Sequence, residues 1–164
     1  RVVIEGESSA DPYINFLANN TTHFSIGIDD SDSDSFKISQ NSALGTNDFF
    51  TLTTDGGVIL DRSDNGDNLT LRTSDTDAST GPILNLNRNS ASPADNDYIG
   101  EIKFDGRNDA GQAVTYAGFA GRILDASDGT EDGRFELYTK LAGAQISRFL
   151  ASDETVINED SVDP

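Results

Sequence analysis

YIGEIKFDGRNDAGQAVTYAGFAGRILDASDGTEDGRFELYTKLAGAQISRFL, residues Tyr98–Leu150, alternates apolar and polar side chains and breaks only at clusters of Gly, Asp and Asn. Alternation at period two is the signature of a strand with two distinct faces. Ile102 and Phe104 share one face, as do Phe135 and Leu137, while Glu101, Lys103 and Glu136 point the other way. The apolar row should be buried and the polar row wet. Between the strands lie FDGRNDAGQ, LDASDGTEDGR and KLAGAQ, which supply the positive-φ residues that hairpins need. No helical periodicity interrupts this stretch, so the chain reads as all-β.

Working outward, residues 1–60 show short strand patterns at regular spacing: RVVIEG, YINFLA, HFSIGI, SFKIS, DFFTLTT and GVIL. Turn chemistry separates them in IDDSDSD, QNSALGTN and TDGG. Apolar pairs begin near Phe24, Phe36, Phe50 and Leu69, a drift too large for a fixed solenoid repeat. LTLRT and ILNLNR are further strand candidates, set among the loop-rich stretches Ser74–Pro82 and Asn89–Asp97. The expected organisation is a slender β-layered region over 1–78 and an antiparallel β-meander or sandwich-like domain over 79–150. An acidic C-terminal connector follows over 151–164, with one strand candidate at Thr155–Asn158; Ile83–Arg88 could pair with either side. Within Ala113–Asp125, the run Tyr116-Ala117-Gly118-Phe119-Ala120-Gly121 points to a bulge or bend, or to close packing against another copy of the chain.

Composition narrows the function. The 164 residues carry 29 acidic and 11 basic side chains, a formal net charge of −18. Nucleic-acid binding requires a basic surface that displaces counterions, and anionic membranes attract basic segments, so this balance opposes both. No window is apolar enough for a membrane span and no signal peptide is present. The first residue is Arg1 rather than Met, and the chain reads as a piece of a longer protein. The apolar fraction of 35% is low for a self-contained domain, for which about 45–50% counting Gly is usual. A single copy would bury a thin core.

Chemistry-bearing motifs are scarce. There is no Cys and only one His, His23, so thiolate chemistry is absent and a nucleophilic triad has almost no raw material. Neither a phosphate-cradling P-loop nor a dinucleotide-binding glycine motif occurs. The many carboxylates fall in turns, and without Trp a sugar-cleaving carboxylate pair has little support. Asn19-Asn20-Thr21 and Asn68-Leu69-Thr70 match a glycosylation pattern that is common by chance. Asp30, Asp32 and Asp34 have the spacing of the first three ligands of an EF-hand loop. Ser35 and Asn41 stand where Gly and the bidentate Glu belong, leaving a solvated turn or a weak or interchain cation site as readings. No catalytic, cofactor-binding or metal residue is therefore assigned.

Several phrases carry a family resemblance. Ile26-Gly27-Ile28-Asp29 with Asp34-Ser35-Phe36-Lys37-Ile38-Ser39 forms one group, and Asn47-Asp48-Phe49-Phe50-Thr51-Leu52 with Asp55-Gly56-Gly57-Val58 a second. Ile99–Phe104, Gly118–Ile123 and Arg134–Leu137 form a third. Together, over residues 24–150, they resemble tail-fibre or tailspike-type proteins of tailed bacteriophages. The resemblance implies a homotrimer wound about one axis, with shaft-like β layers and globular knobs. It also implies exposure on the virion, contact with other fibre or tail proteins, and contact with a host surface glycan or protein receptor. Such fibres often end in a self-cleaving chaperone, but no cleavage motif matches here, and no receptor-binding residue can be carried over. Physical reasoning points the same way, since three slender β chains wound together would cover their edges and pool their apolar rows. The expectation is a non-enzymatic, homotrimeric fibre segment on the virion; the alternative is a lectin-like or adhesin β-domain binding surface glycans.

Overall fold

Antiparallel pairing between sequence neighbours builds both sheets of this protein. The computed structural model describes residues 1–7, 9–20, 22–152 and 155–157. Two units divide the chain, Arg1–Pro82 and Ile83–Pro164. The first holds β1 (Tyr13–Ala18), β2 (Thr22–Asp29), β3 (Ser35–Ser39), β4 (Asp48–Leu52) and β5 (Val58–Leu60), in that spatial order. The second holds β6 (Tyr98–Arg107), β7 (Ala113–Asp125), β8 (Asp132–Leu141), β9 (Ala144–Ala151) and β10 (Thr155–Ile157), again neighbour to neighbour. Helix among the described residues is confined to one 3-10 turn at Asp30–Asp32. The chain is all-β, with two antiparallel meanders.

Turn residues explain the connections. Leu141 pairs with Ala144 across Ala142 and Gly143, whose φ values of 47° and 85° make the left-handed two-residue hairpin that matches strand twist. Between β6 and β7, Asn108 N donates to Gln112 O at 3.0 Å, and Gly111 takes the positive φ.

The first unit shows how each sheet is covered. Ile14, Ile26, Ile38, Phe50 and Leu60 pair across all five strands and so share one face; Ile28, Phe36, Leu52 and Val58 form a parallel row beside them. The opposite face carries Ser25, Gly27, Lys37, Ser39 and Thr51. The small Ser25 and Ser39 let residues 40–47 fold down onto the sheet. Ser25 Oγ donates to Asn41 O at 2.7 Å and Ser39 Oγ to Thr46 O at 2.6 Å, and Leu44 is buried. The polar face is thus closed by the chain's own loop, while Ile14, Phe16, Leu52 and Val58 on the other face stay exposed.

The second unit repeats the arrangement. Ile102, Phe119, Leu137 and Phe149 pair in one row. Aromatic rings run along that face, with Phe104–Phe119, Phe119–Phe135 and Phe135–Phe149 centroids 5.7, 5.9 and 6.5 Å apart. Such contacts contribute about 0.5–1.5 kcal/mol each beyond area burial. Yet Phe104 is 51% and Phe135 46% exposed. On the other face Tyr138 is 2% and Glu136 6% exposed. The expectation that Glu136 points into water is therefore corrected. The buried row is the polar one, because Gly118 and Ala120 make a floor on which long side chains lie flat. Tyr138 donates its hydroxyl to Glu101, and Ser147 donates to Glu136. Burial, then the Glu101 carboxylate, pushes the Tyr138 hydroxyl up to about 12.

Other expectations are revised by the same geometry. RVVIEG, LTLRT and ILNLNR are not strands, because no segment among the described residues pairs with them. Among the described residues, 61–97 form neither helix nor strand. Ile83–Arg88 belongs with the second unit: Arg88 Nη1 donates to Tyr98 O at 2.9 Å, and Leu86 packs over Gly100. Ala151 closes β9, and Thr155–Ile157 pairs back on it as β10, whereas Asn158 and the rest of the acidic tail lie outside the described residues.

Gly118 itself pairs in register with Lys103 and Tyr138, and the bulge expected in this run falls at Tyr116, which the ladder skips between Phe104–Ala117 and Asp105–Thr115. A Cβ at Gly118 would lie 2.3 Å from the Tyr138 hydroxyl oxygen and 2.8 Å from Ile102 O, so the crowding is internal. Gly118→Val should cost at least about 1–3 kcal/mol in chemical denaturation. In a Tyr138→Ala background the same substitution should lose most of that penalty, as expected for residues that share one space. Equal penalties in both backgrounds would exclude this packing.

Candidate functional site

Lys37 sits mid-strand in β3 between Phe36 and Ile38, with its side chain on the closed polar face of the first unit, where it is buried. Three carboxylates converge on its ammonium: Asp29 at 2.8 Å, Asp32 at 2.7 Å and Asp48 at 3.1 Å. Local turn geometry delivers each of them. Asp29 ends β2 and caps the 3-10 turn, its Oδ1 accepting from Ser31 N at 3.1 Å and Ser31 Oγ at 2.7 Å. Asp32 closes that turn before Ser33 and Asp34, both at positive φ, lead into β3. Asp48 opens β4, and its Oδ1 accepts from Gly45 N at 3.1 Å.

The electrostatics follow. The Lys37 ammonium, aided by Ser31, holds Asp29 below the ordinary carboxylate value of 3.8, against the opposing effect of burial. Burial disfavours the Lys37 charge, but Asp29, Asp32 and Asp48 outweigh it and raise Lys37 well above the usual lysine value. Both groups are ionised at neutral pH. Ionic groups so buried are stable only while each keeps its counter-charge.

This arrangement recasts the acidic turn. Of Asp30, Asp32 and Asp34, only Asp32 reaches the cluster; Asp30 and Asp34 are exposed. The positive charge gathered by the turn is the chain's own Lys37, and among the described residues no group of three His, Cys, Asp or Glu could hold a metal ion. His23 pairs with Leu17 at the start of β2, half-buried, and its Nδ1 has no hydrogen-bond partner among the described residues. Asn19 takes positive φ in the turn after β1, and Asn68 Nδ2 donates to Leu60 O at 2.7 Å. These positions do not come together.

Sequence reasoning missed Lys37. A lysine flanked by two apolar strand residues, eight positions after the first Asp of an acidic run, was the available signal. The second surface of note is the pair of open apolar faces, with the fully apolar edge strand β5, whose three residues are all exposed. Against this geometry, no family model, no curated protein and no solved structure matches the chain.

Lys37→Ala should destabilise the first unit by about 3–5 kcal/mol, because it strands buried Asp29. The lowered Asp29 value means that its contribution is complete above the unfolded value of 3.8 and declines as pH falls through the lower folded one. Denaturation midpoints should therefore drop below pH 4 in the native chain, and less in the Lys37→Ala variant. Calcium or a chelator should leave the melting temperature unchanged; a calcium-dependent rise would show that the acidic turn takes an external cation.

Proposed function

We propose that this chain is a non-enzymatic structural segment of a phage-type virion fibre, assembled as a homotrimer, exposed on the particle and engaged in host attachment. The observation that carries this reading is the open apolar face of each sheet. Monomeric soluble proteins rarely leave contiguous apolar patches of more than a few hundred Å² in water. Here Ile14, Phe16, Phe24, Leu52 and Leu60 are exposed in the first unit, and Ile102, Phe104 and Phe135 in the second.

Unpaired backbone supports the same reading. Val58, Ile59 and Leu60 form an apolar edge strand without the charges or prolines that normally blunt an edge. Leu69 and Leu71, then Ile83, Leu84 and Leu86, are exposed within strand-patterned segments that have no ladder among the described residues. A second and third copy would supply both the missing ladders and the cover. The number three comes from the fibre resemblance. The net charge of −18 suits an outer surface that keeps long particles apart.

Solution mass at micromolar concentration should equal three times the 17.5 kDa of one chain. Phe104→Asp with Phe135→Asp should shift it to one chain, because burying a carboxylate in an apolar interface is strongly unfavourable. A monomeric native chain would overturn the proposal.

A further inference from the structure

We infer that Asn65-Gly66 is a self-modifying site, at which the Gly66 backbone nitrogen displaces the side-chain amide of Asn65 and leaves an aspartate or isoaspartate. The inference goes beyond the fibre reading and does not depend on assembly, since residues 61–68 of one chain supply every group involved.

This is the sole Asn-Gly pair in the sequence. Such pairs ordinarily serve two-residue hairpins, with both residues at positive φ. Here neither residue takes a positive φ and no ladder flanks them, so turn geometry does not account for the glycine. What requires it is a side chain. A Cβ on Gly66 would collide with the guanidinium of Arg62, which lies against the Gly66 backbone.

The groups that the chemistry needs converge on this peptide bond. Gly66 N donates to Asp64 Oδ1 at 3.0 Å, within the reach required of a general base. Arg62 Nε and Nη2 donate to the two Asp64 carboxylate oxygens at 2.8 and 3.0 Å, while Nη1 donates to Asp67 O at 3.0 Å. The Arg62 pairing holds Asp64 below the ordinary carboxylate value, so it is ionised at neutral pH and able to accept a proton. The guanidinium also favours negative charge as it develops on the attacking nitrogen. Asn65 is exposed and its side chain makes no hydrogen bond among the described residues, so it is free to swing toward Gly66 N.

As the bond from Gly66 N to Asn65 Cγ forms, the Gly66 amide proton passes to Asp64 and on to Nδ2. The Cγ–Nδ2 bond breaks, ammonia leaves, and a cyclic succinimide remains. Water then adds to one ring carbonyl. Opening at Cγ gives ordinary aspartate; opening at the main-chain carbonyl gives isoaspartate, with the chain running through Cγ. Other pairs are held back. Asp105-Gly106 lies within β6 and Asp132-Gly133 within β8, where ladders fix the backbone. Asp55, ahead of Gly56, is kept ionised by Thr53 and the Gly57 backbone, and an ionised carboxylate is a poor electrophile.

Isoaspartate lengthens the main chain inside the span that Arg62 closes onto Asp67 O, and it adds a carboxylate to a segment that already holds Asp61, Asp64 and Asp67. The end of β5 lies next to this span, because Asn68 Nδ2 donates to Leu60 O at 2.7 Å. The site is thus a slow, one-way change at the exposed end of β5.

The test incubates the native chain at neutral pH and maps its peptides for isoaspartate and for the replacement of NH2 by OH. Conversion at Asn65 should precede that at Asn41, Asn89 and every other Asn. It should also run at least as fast in the native chain as in the same chain unfolded in guanidinium. Asp64→Asn keeps an acceptor for the hydrogen bond but not for the proton, and should slow the native reaction about tenfold relative to the unfolded one. A native rate below the unfolded rate would show that the fold protects the pair and would overturn the inference. Earlier conversion at another Asn, or an undiminished native rate in Asp64→Asn, would do the same. The comparison of native with unfolded chain needs no variant, so it stands even if the substitution disturbs the segment.

Discussion

Each unit of this chain is one sheet thick, so its own segments can cover only one of the two faces. The covered face is the one built on small residues. Ser25 and Ser39 admit the 40–47 loop, and Gly118 and Ala120 admit the flat side chain of Tyr138. The bulky face, with its Phe and Ile rows, is left open. Within each unit the buried contacts are thus largely polar, under the 40–47 loop in the first and between strand side chains in the second. Small residues decide which side of a sheet is finished at home.

The buried ion cluster fits this logic. A lysine facing an ordinary apolar core would be expelled or neutralised. On the roofed polar face, Lys37 instead joins the ends of β2 and β4 to the middle of β3 through Asp29, Asp48 and the turn residue Asp32. Hydrophobic residues of similar volume can match such clusters in stability, so its specific contribution is to fix which turn meets which strand. In a chain of net charge −18, one cation that gathers three carboxylates also relieves local repulsion where the acidic run is densest.

Strand positions were legible because parity alone carries them. Alternation in Tyr98–Leu150 and the turn residues at Asn108–Gln112 and Ala142-Gly143 correspond to the observed ladders and hairpins. Parity does not say which face is closed. That depends on contacts remote in sequence, such as Ser25 with Asn41 or Tyr138 with Glu101, thirty-seven residues apart. LTLRT and ILNLNR show the converse: strand propensity without a neighbour does not make a sheet, because the ladder needs two sides. Lys37 was hidden for a similar reason, since its three counter-charges are united only by the fold. In β4 the Phe49-Phe50 doublet breaks the alternation where the ladder skips Phe49, between Ile38–Phe50 and Ser39–Asp48.

Every ladder in both meanders joins strands that follow one another in sequence. Loop closure between neighbours is entropically cheap, so such a topology has low contact order for an all-β protein and zips quickly. Each meander can therefore form as soon as its own last strand leaves the ribosome, without waiting for the rest of the chain.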